Sequence, residues 1–186
     1  MAFKGLFVGV DRYASTDINW LSCARRDATA LHALFADNLG GDCALLADEE
    51  ATLDAVRLAF EGLATCDPDD IVVIGFSGHG TSTHELVLYD TDPRDIEKTT
   101  VPLGQLAEWF AKIPARRLLL ILDCCFSGGM GAKVLQIDTI PRDVPSVGAK
   151  LDLLGGEGRI ILTASSPTQE AYENSRRGHG LLTADG

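Results

Sequence analysis

The chain has no C-x-x-C pair: its five cysteines (Cys23, Cys43, Cys66, Cys124 and Cys125) are odd in number and irregularly spaced. That pattern argues against a disulfide framework or a zinc ribbon and makes a reducing cytoplasm the expected setting. Basic residues are scarce, 16 Lys and Arg against 27 Asp and Glu, for a net charge of −11. Such a balance speaks against nucleic acid or an anionic membrane as partner, and agrees in sign with a site for cationic substrates. No apolar run approaches the roughly 20 residues of a membrane helix. The N-terminal "MAFKGLFVGVDRY" also lacks the cleavage pattern of a signal peptide. Internal repeats and low-complexity tracts are missing too. With 186 residues, 46% of them hydrophobic and 23% charged, residues 1–186 have the size and composition of a single domain with a real core.

Short continuous apolar runs are present: "GLFVGV" (5–10), "IVVIGF" (71–76), "RLLLIL" (117–122), "RIILTA" (159–164) and the weaker "CALLA" (43–47). Continuity rather than alternation is the mark of parallel strands covered on both faces. Between them lie helical patterns. Residues 25–38 space Ala28, Leu31, Leu34 and Phe35 helically; residues 52–64 begin at the capping residue Thr52; residues 103–113 are followed by Pro114. The order predicts an α/β domain, a three-layer α-β-α sandwich whose mainly parallel central sheet carries helices on both faces. Two stretches break the rhythm. "HELVLYD" (84–90) reads as a brief strand leading into the acidic loop "DTDPRDIEKTT", and residues 129–158 form a long irregular loop.

Ligands of open parallel sheets sit outside the carboxyl ends of the strands. Two strands end there in polar material, "SGHG" (77–80) and "DCCFSGG" (123–129). If those strands are neighbours, one imidazole and a pair of thiols reach the same rim. Cysteine needs such a base to become a thiolate near neutral pH. The glycines beside His79 leave room for a substrate carbonyl, and backbone N–H groups there and at the cysteine can form an oxyanion hole. Residues two apart on a strand share a face, so Asp123 and Cys125 point one way and Cys124 the other.

The "SGHG" around His79 and the D-x-C-x-S-G of Asp123 to Gly128 resemble the caspase-like cysteine proteases (peptidase C14, clan CD), closest to the bacterial metacaspases or orthocaspases. The caspase signature places its histidine about 50 residues before the cysteine, and here 46 residues separate His79 from Cys125. "FVGVDRY", "CARRDATAL" and "ILTASSPTQEAYE" extend the resemblance over nearly the whole chain, and it implies the caspase fold. It makes Cys125 the nucleophile, His79 the general base and acid, and the backbone N–H groups of Gly80 and Cys125 the oxyanion hole. It further implies cleavage after Arg or Lys through an acidic S1 pocket of Asp123 and Asp27, with Ser77 alongside. A carboxylate beside the nucleophile suits a P1 guanidinium, which it binds through paired hydrogen bonds, and would repel a P1 aspartate. The expected partner is therefore a protein or peptide with a basic P1 residue. No cofactor is required by the residues themselves. Ca²⁺ activation follows from the resemblance alone, because "DTDPRD" lacks the EF-hand pattern and reads as an acidic solvated loop. Members of the family continue past "GHGLLT" into a helix and a last strand. This chain stops at Gly186, so the C-terminal part of the fold is expected to be missing and to be supplied, if at all, by that segment or by further domains. Lys133, Arg142 and Lys150 in the long loop, and Arg176 and Arg177 beyond it, are candidate self-processing sites.

Plainer readings stand beside these. Cys125 could be a core thiol, the usual fate of a lone cysteine. Asp123 could cap the turn after its strand, and Asp27 could simply favour the dipole of its helix. Cys124, Cys43 and Cys66 read as packing, and Cys23 lies near the expected pocket wall without a chemical role. A zinc site built from His79, His84 and the thiols lacks ligand spacing. "GFSGHG" is not a serine nucleophile elbow, and "GVDRYAST" is no phosphate loop of a flavodoxin-like domain. A catalytically silent caspase-like scaffold remains the alternative to an enzyme.

Overall fold

Residues at alternate positions of three strands divide the core into two layers. The strands are β1 (Phe3–Gly9), β3 (Ile71–Ser77) and β6 (Arg117–Asp123). Leu6, Val8, Val72, Ile74, Leu118, Leu120 and Leu122 point to one side, while Phe3, Phe7, Val73 and Ile121 point to the other. This period-two division of continuous apolar runs is what burial on both faces requires. The structure is a computed structural model in which residues 1–124, 158–163, 173–174 and 179–180 are described; Cys125 and the stretch 129–157 lie outside them.

The central sheet is parallel throughout. Its five strands run in the order β2 (Asp42–Ala47), β1, β3, β6 and β7 (Arg159–Thr163). On one face lies α1 (Ala24–Leu39), which sets Ala28, Leu31 and Phe35 against Phe3 and Phe7. The phenyl ring of Phe35 stacks at 5.8 Å on both of those rings. The larger core layer, on the opposite face, receives α2 (Leu53–Leu63) through Val56, Phe60 and Leu63, and α4 (Leu103–Ala111) through Leu103, Leu106, Ala107 and Phe110. Each such large side chain taken from water contributes about 1.5–3 kcal/mol. The expected three layers and both helical faces are therefore present.

Local chemistry sets the helix ends. Thr52 is extended, and its Oγ1 accepts the Ala55 N–H at 3.2 Å, the cap expected for α2. The Asp90 carboxylate adds a second acceptor there, for the Leu53 N–H at 2.9 Å. At the far end of α4 the Arg159 guanidinium lies over the Phe110 ring at 5.4 Å. It donates to the Phe110 and Ile113 carbonyls, which ties β7 to that helix.

Two expectations need adjusting. "CALLA" is part of a full edge strand, β2, because its parallel pairing with β1 runs from Asp42 to Ala47. The strand expected over 84–90 shrinks to β4 (Glu85–Leu86), paired antiparallel with β5 (Val101–Pro102), and the acidic loop between them holds a one-turn helix, α3 (Ile96–Thr99). In that loop the side chains bond locally. Asp92 Oδ1 accepts the Arg94 N–H and Asp95 pairs with Lys98, so the sequence pattern serves turns rather than a longer strand. A last two-residue pair, β8 (Glu173–Asn174) with β9 (His179–Gly180), completes the described elements.

The seat of α1 is set by Gly9. A Cβ there would stand 2.6 Å from the Ala24 carbonyl oxygen, 2.6 Å from Ala28 Cβ and 2.9 Å from Arg25 Cα. Since two of these are backbone atoms, only glycine lets the first turn of α1 sit on the end of β1. Gly9→Ala is expected to cost about 1–3 kcal/mol in urea unfolding, as overpacking does. Gly62→Ala, in α2 with nothing within 4 Å of the new methyl, should instead stabilise by about 0.5–1 kcal/mol.

Candidate active site

Three strands end level with one another. In the parallel register Gly9 faces Ser77, and Ser77 faces Asp123, so one rung crosses β1, β3 and β6 at their carboxyl ends. Backbone bonds just beyond the rung lock it, from the Val10 N–H to the Ser77 carbonyl (3.0 Å) and from the Gly78 N–H to the Asp123 carbonyl (3.2 Å). All three residues continue the side of the sheet that faces α1, the side of Phe7, Val73 and Ile121. Asp27, 1% exposed in the first turn of α1, belongs to the same side, because that turn rests on Gly9. Ser77 and Asp123 thus lie side by side at the strand ends, on the side of the sheet that α1 covers with Asp27 in its first turn. Cys124 falls on the opposite side, 4% exposed and packed in the larger core layer with Leu122 and Tyr13. The strand's alternation separates the acid from this thiol. Cys125 lies outside the described residues.

His79 is held through backbone and ring. Its N–H donates to the Tyr13 hydroxyl at 3.1 Å, and its carbonyl accepts the Val87 N–H at 3.0 Å. The ring leans on the Tyr13 ring at 5.3 Å, and Nε2 lies 2.8 Å from the Asn19 carbonyl. A carbonyl only accepts, so in this bond Nε2 carries the hydrogen and Nδ1 is left as the basic nitrogen. At Gly78 a Cβ would come within 3.1 Å of the Phe76 ring, a tight contact that the ring would have to relieve. Gly80 bridges antiparallel to Leu86, which keeps the residue after His79 against β4.

Tyr13 has two duties. Its hydroxyl donates to the Val10 carbonyl at 3.0 Å while accepting from His79. Burial, with the nearby Asp11 and Asp48 charges adding to it, pushes the phenol well above its ordinary range, so it stays protonated and keeps both bonds. Helix α1 has no side-chain cap of its own, since it starts after Cys23. The acceptor comes from across the loop, where Asp11 Oδ1 takes the Ala24 N–H at 2.8 Å. Cys23 itself is buried at 2% exposure, with Sγ 3.6 Å from Ser22 Oγ.

The sequence motifs single out His79, Asp27, Ser77 and Asp123, whereas Tyr13, Asn19, Asp11 and Asp48, which hold the loop and the His79 ring, are given no role by them. Asn19 acts through its carbonyl, which no residue type announces. Tyr13 is visible in "FVGVDRY", and an aromatic four residues past the end of β1 is the available signal. Among the described residues no group of three or more His, Cys, Asp or Glu could hold a metal ion. In the acidic loop that Ca²⁺ would need, Asp90 and Asp92 accept the Leu53 and Arg94 N–H groups and Asp95 pairs with Lys98. That arrangement does not fit a Ca²⁺ cage, and no step of the chemistry is routed through the ion.

The His79 imidazole follows one strand of the parallel sheet, and Asp123 and Cys124 stand at the end of the next. Residues 3–183 match the caspase domain of peptidase family C14, and the chain belongs to that family. Its fold is similar to the crystal structure of protein GSU0716 from Geobacter sulfurreducens, with a TM-score of 0.69 at 17% identity, covering 98% of this chain and 79% of that one. It is similar also to caspase-1 from Spodoptera frugiperda, with a TM-score of 0.62 at 13% identity, covering 95% of this chain and 64% of that one. The chain therefore spans less than two thirds of that caspase. No curated protein matches it in sequence. No helix among the described residues is long and apolar enough to cross a membrane.

Tyr13→Phe is expected to keep the ring packing but leave the Val10 carbonyl and the His79 N–H without their shared partner. The cost should be about 1–2 kcal/mol, read by urea denaturation.

Proposed function

We propose that the protein is a cysteine endopeptidase of metacaspase type that cleaves after Arg or Lys, with Cys125 as nucleophile and His79 as its base. The observation that carries this reading is the Asn19 carbonyl on His79 Nε2, which leaves Nδ1 as the basic nitrogen on the rim where Asp123 ends β6. In this reading Nδ1 takes the thiol proton, and the sulfur attacks the scissile carbonyl. The carbonyl π electrons move to oxygen, where the backbone N–H groups of Gly80 and Cys125 receive the charge. Collapse of the tetrahedral intermediate breaks the C–N bond, and the imidazolium returns its proton to the leaving amine. Water, deprotonated by the same imidazole, then attacks the thioester and releases the acid.

The placement of Ser77 and Asp123 on the side of the sheet that α1 covers, with Asp27 in the first turn of that helix, supports the S1 assignment. A P1 guanidinium entering on that side would meet carboxylates suited to paired hydrogen bonds. The setting that goes with this chemistry is the reducing cytoplasm of a bacterium. The basic residues Lys133, Arg142, Lys150, Arg176 and Arg177 make self-processing part of the proposal.

Fluorogenic peptides with Arg, Lys or Asp at P1 test the reading. Arg and Lys peptides should be cleaved and Asp peptides spared. Cys125→Ala should lose on the order of 10⁴-fold or more in kcat, while Cys124→Ala should retain turnover. Turnover that survives Cys125→Ala overturns the nucleophile assignment, and wild-type protein that cleaves no peptide favours a silent scaffold. Asp123→Ala should lower kcat/KM for Arg peptides roughly 100-fold, and an unchanged P1 preference removes the S1 role. Incubated wild type should show fragments cut after a basic residue by mass spectrometry that Cys125→Ala lacks; identical intact masses would end the self-processing claim.

A further inference from the structure

The geometry points to Asp48 as a positioning residue for the His79 imidazole, a role that rests on the reading of His79 as catalytic base. Asp48 follows β2 in the one-turn 3-10 segment Asp48–Glu50, and only 3% of it is exposed. None of the chemistry above uses it. A carboxylate buried this deeply is retained at a cost, and its bonds say where the compensation lies.

Oδ1 accepts two consecutive backbone donors, the Asp11 N–H at 2.9 Å and the Arg12 N–H at 3.0 Å. Oδ2 meets the Arg25 guanidinium of α1 at 3.4 Å. The backbone of Asp48 is left-handed (φ 47°), a conformation that Asp tolerates and that few side chains adopt. Asp11 and Arg12 are the point where the chain leaves β1 toward the His79 partners. The Asp11 carbonyl accepts the Leu21 N–H at 2.9 Å, which closes the 11–21 loop at its base. Inside that loop Tyr13 and Ile18 are plugged into the core at 5% and 3% exposure. The Tyr13 hydroxyl holds the His79 N–H, and the Asn19 carbonyl holds Nε2.

One carboxylate thus sets Asp11, Asp11 sets both ends of the loop, and the loop sets the proton on the ring. Asp48 acts through hydrogen-bond acceptance at the loop base rather than by direct contact with the imidazole. An amide oxygen should therefore serve almost as well, and loss of the acceptor should free the Asn19 carbonyl to drift.

Asp48→Gly and Asp48→Asn in the full chain test this. Glycine removes the carboxylate while suiting the left-handed backbone, so the deletion adds no strain. Asp48→Gly should stay folded by circular dichroism. Its kcat on an Arg-P1 peptide should fall about 10- to 100-fold, as misplacement of a catalytic group does, with KM changed by less than about threefold. In ¹⁵N spectra the His79 Nε2–H signal should broaden or shift, and the Nδ1–H tautomer should gain population. Asp48→Asn should recover kcat to within about threefold of wild type together with the native ring signal.

Wild-type kcat and ring signals in Asp48→Gly would overturn the proposal, and so would an Asn variant as impaired as the Gly one. Unfolding of Asp48→Gly beside a native Asn variant would also overturn it, by assigning Asp48 to the fold as a whole. If the wild type cleaves no peptide, the protease reading fails by itself, and the ring spectra alone decide whether Asp48 orients His79.

Discussion

Parallel pairing of β1, β3 and β6 with no offset at their carboxyl ends is the constraint on which the rest depends. It puts Gly9, Ser77 and Asp123 on one rung. Because side chains alternate along a strand, whatever follows the rung is sorted by parity onto the α1 side or the opposite side. A one-residue slip of β6 against β3 would exchange Asp123 and Cys124 between those sides. Such a slip would also turn Leu118, Leu120 and Leu122 out of the larger core layer, so the hydrophobic pattern that stabilises the fold also protects the sorting.

Above that rung, the loop from β1 to α1 does most of the organising through main-chain groups. Its carbonyls and N–H groups are fixed by two acids, Asp11 and Asp48, and by the buried hydroxyl of Tyr13. The acids near the rim therefore serve two ends. Asp11 and Asp48 accept backbone N–H groups, and Asp27 and Asp123 belong to the side where a cationic side chain is proposed to enter. Trp20, 65% exposed beneath the Arg12 guanidinium at 5.4 Å, marks the outer wall of the same loop.

Much of this was legible in residue order. Continuous runs such as "IVVIGF" announce covered parallel strands, Thr52 announces the start of α2, and "SGHG" with "DCCFSGG" announces a histidine and thiols at strand ends. The limits of β4 were harder to read, because "HELVLYD" is apolar enough for a strand while its pairing partner is only two residues long. The support of His79 was harder still. A carbonyl such as that of Asn19 belongs to every residue alike, and the remote cap of α1 by Asp11 spans 13 positions that no local motif covers.

By itself the sequence determined the element order, the two-sided burial of the central strands and the separation of Asp123 from Cys124 by parity. These follow from periodicity and local chemistry, which act over a few residues. Tertiary structure alone decided that Ser77 and Asp123 share a rung, that α1 lies close over Gly9 with Asp27 in its first turn, and that the His79 Nε2 meets the Asn19 carbonyl. Each of these depends on groups far apart in the chain meeting at hydrogen-bond or van der Waals distance, and only the packed sheet and its loops bring them there.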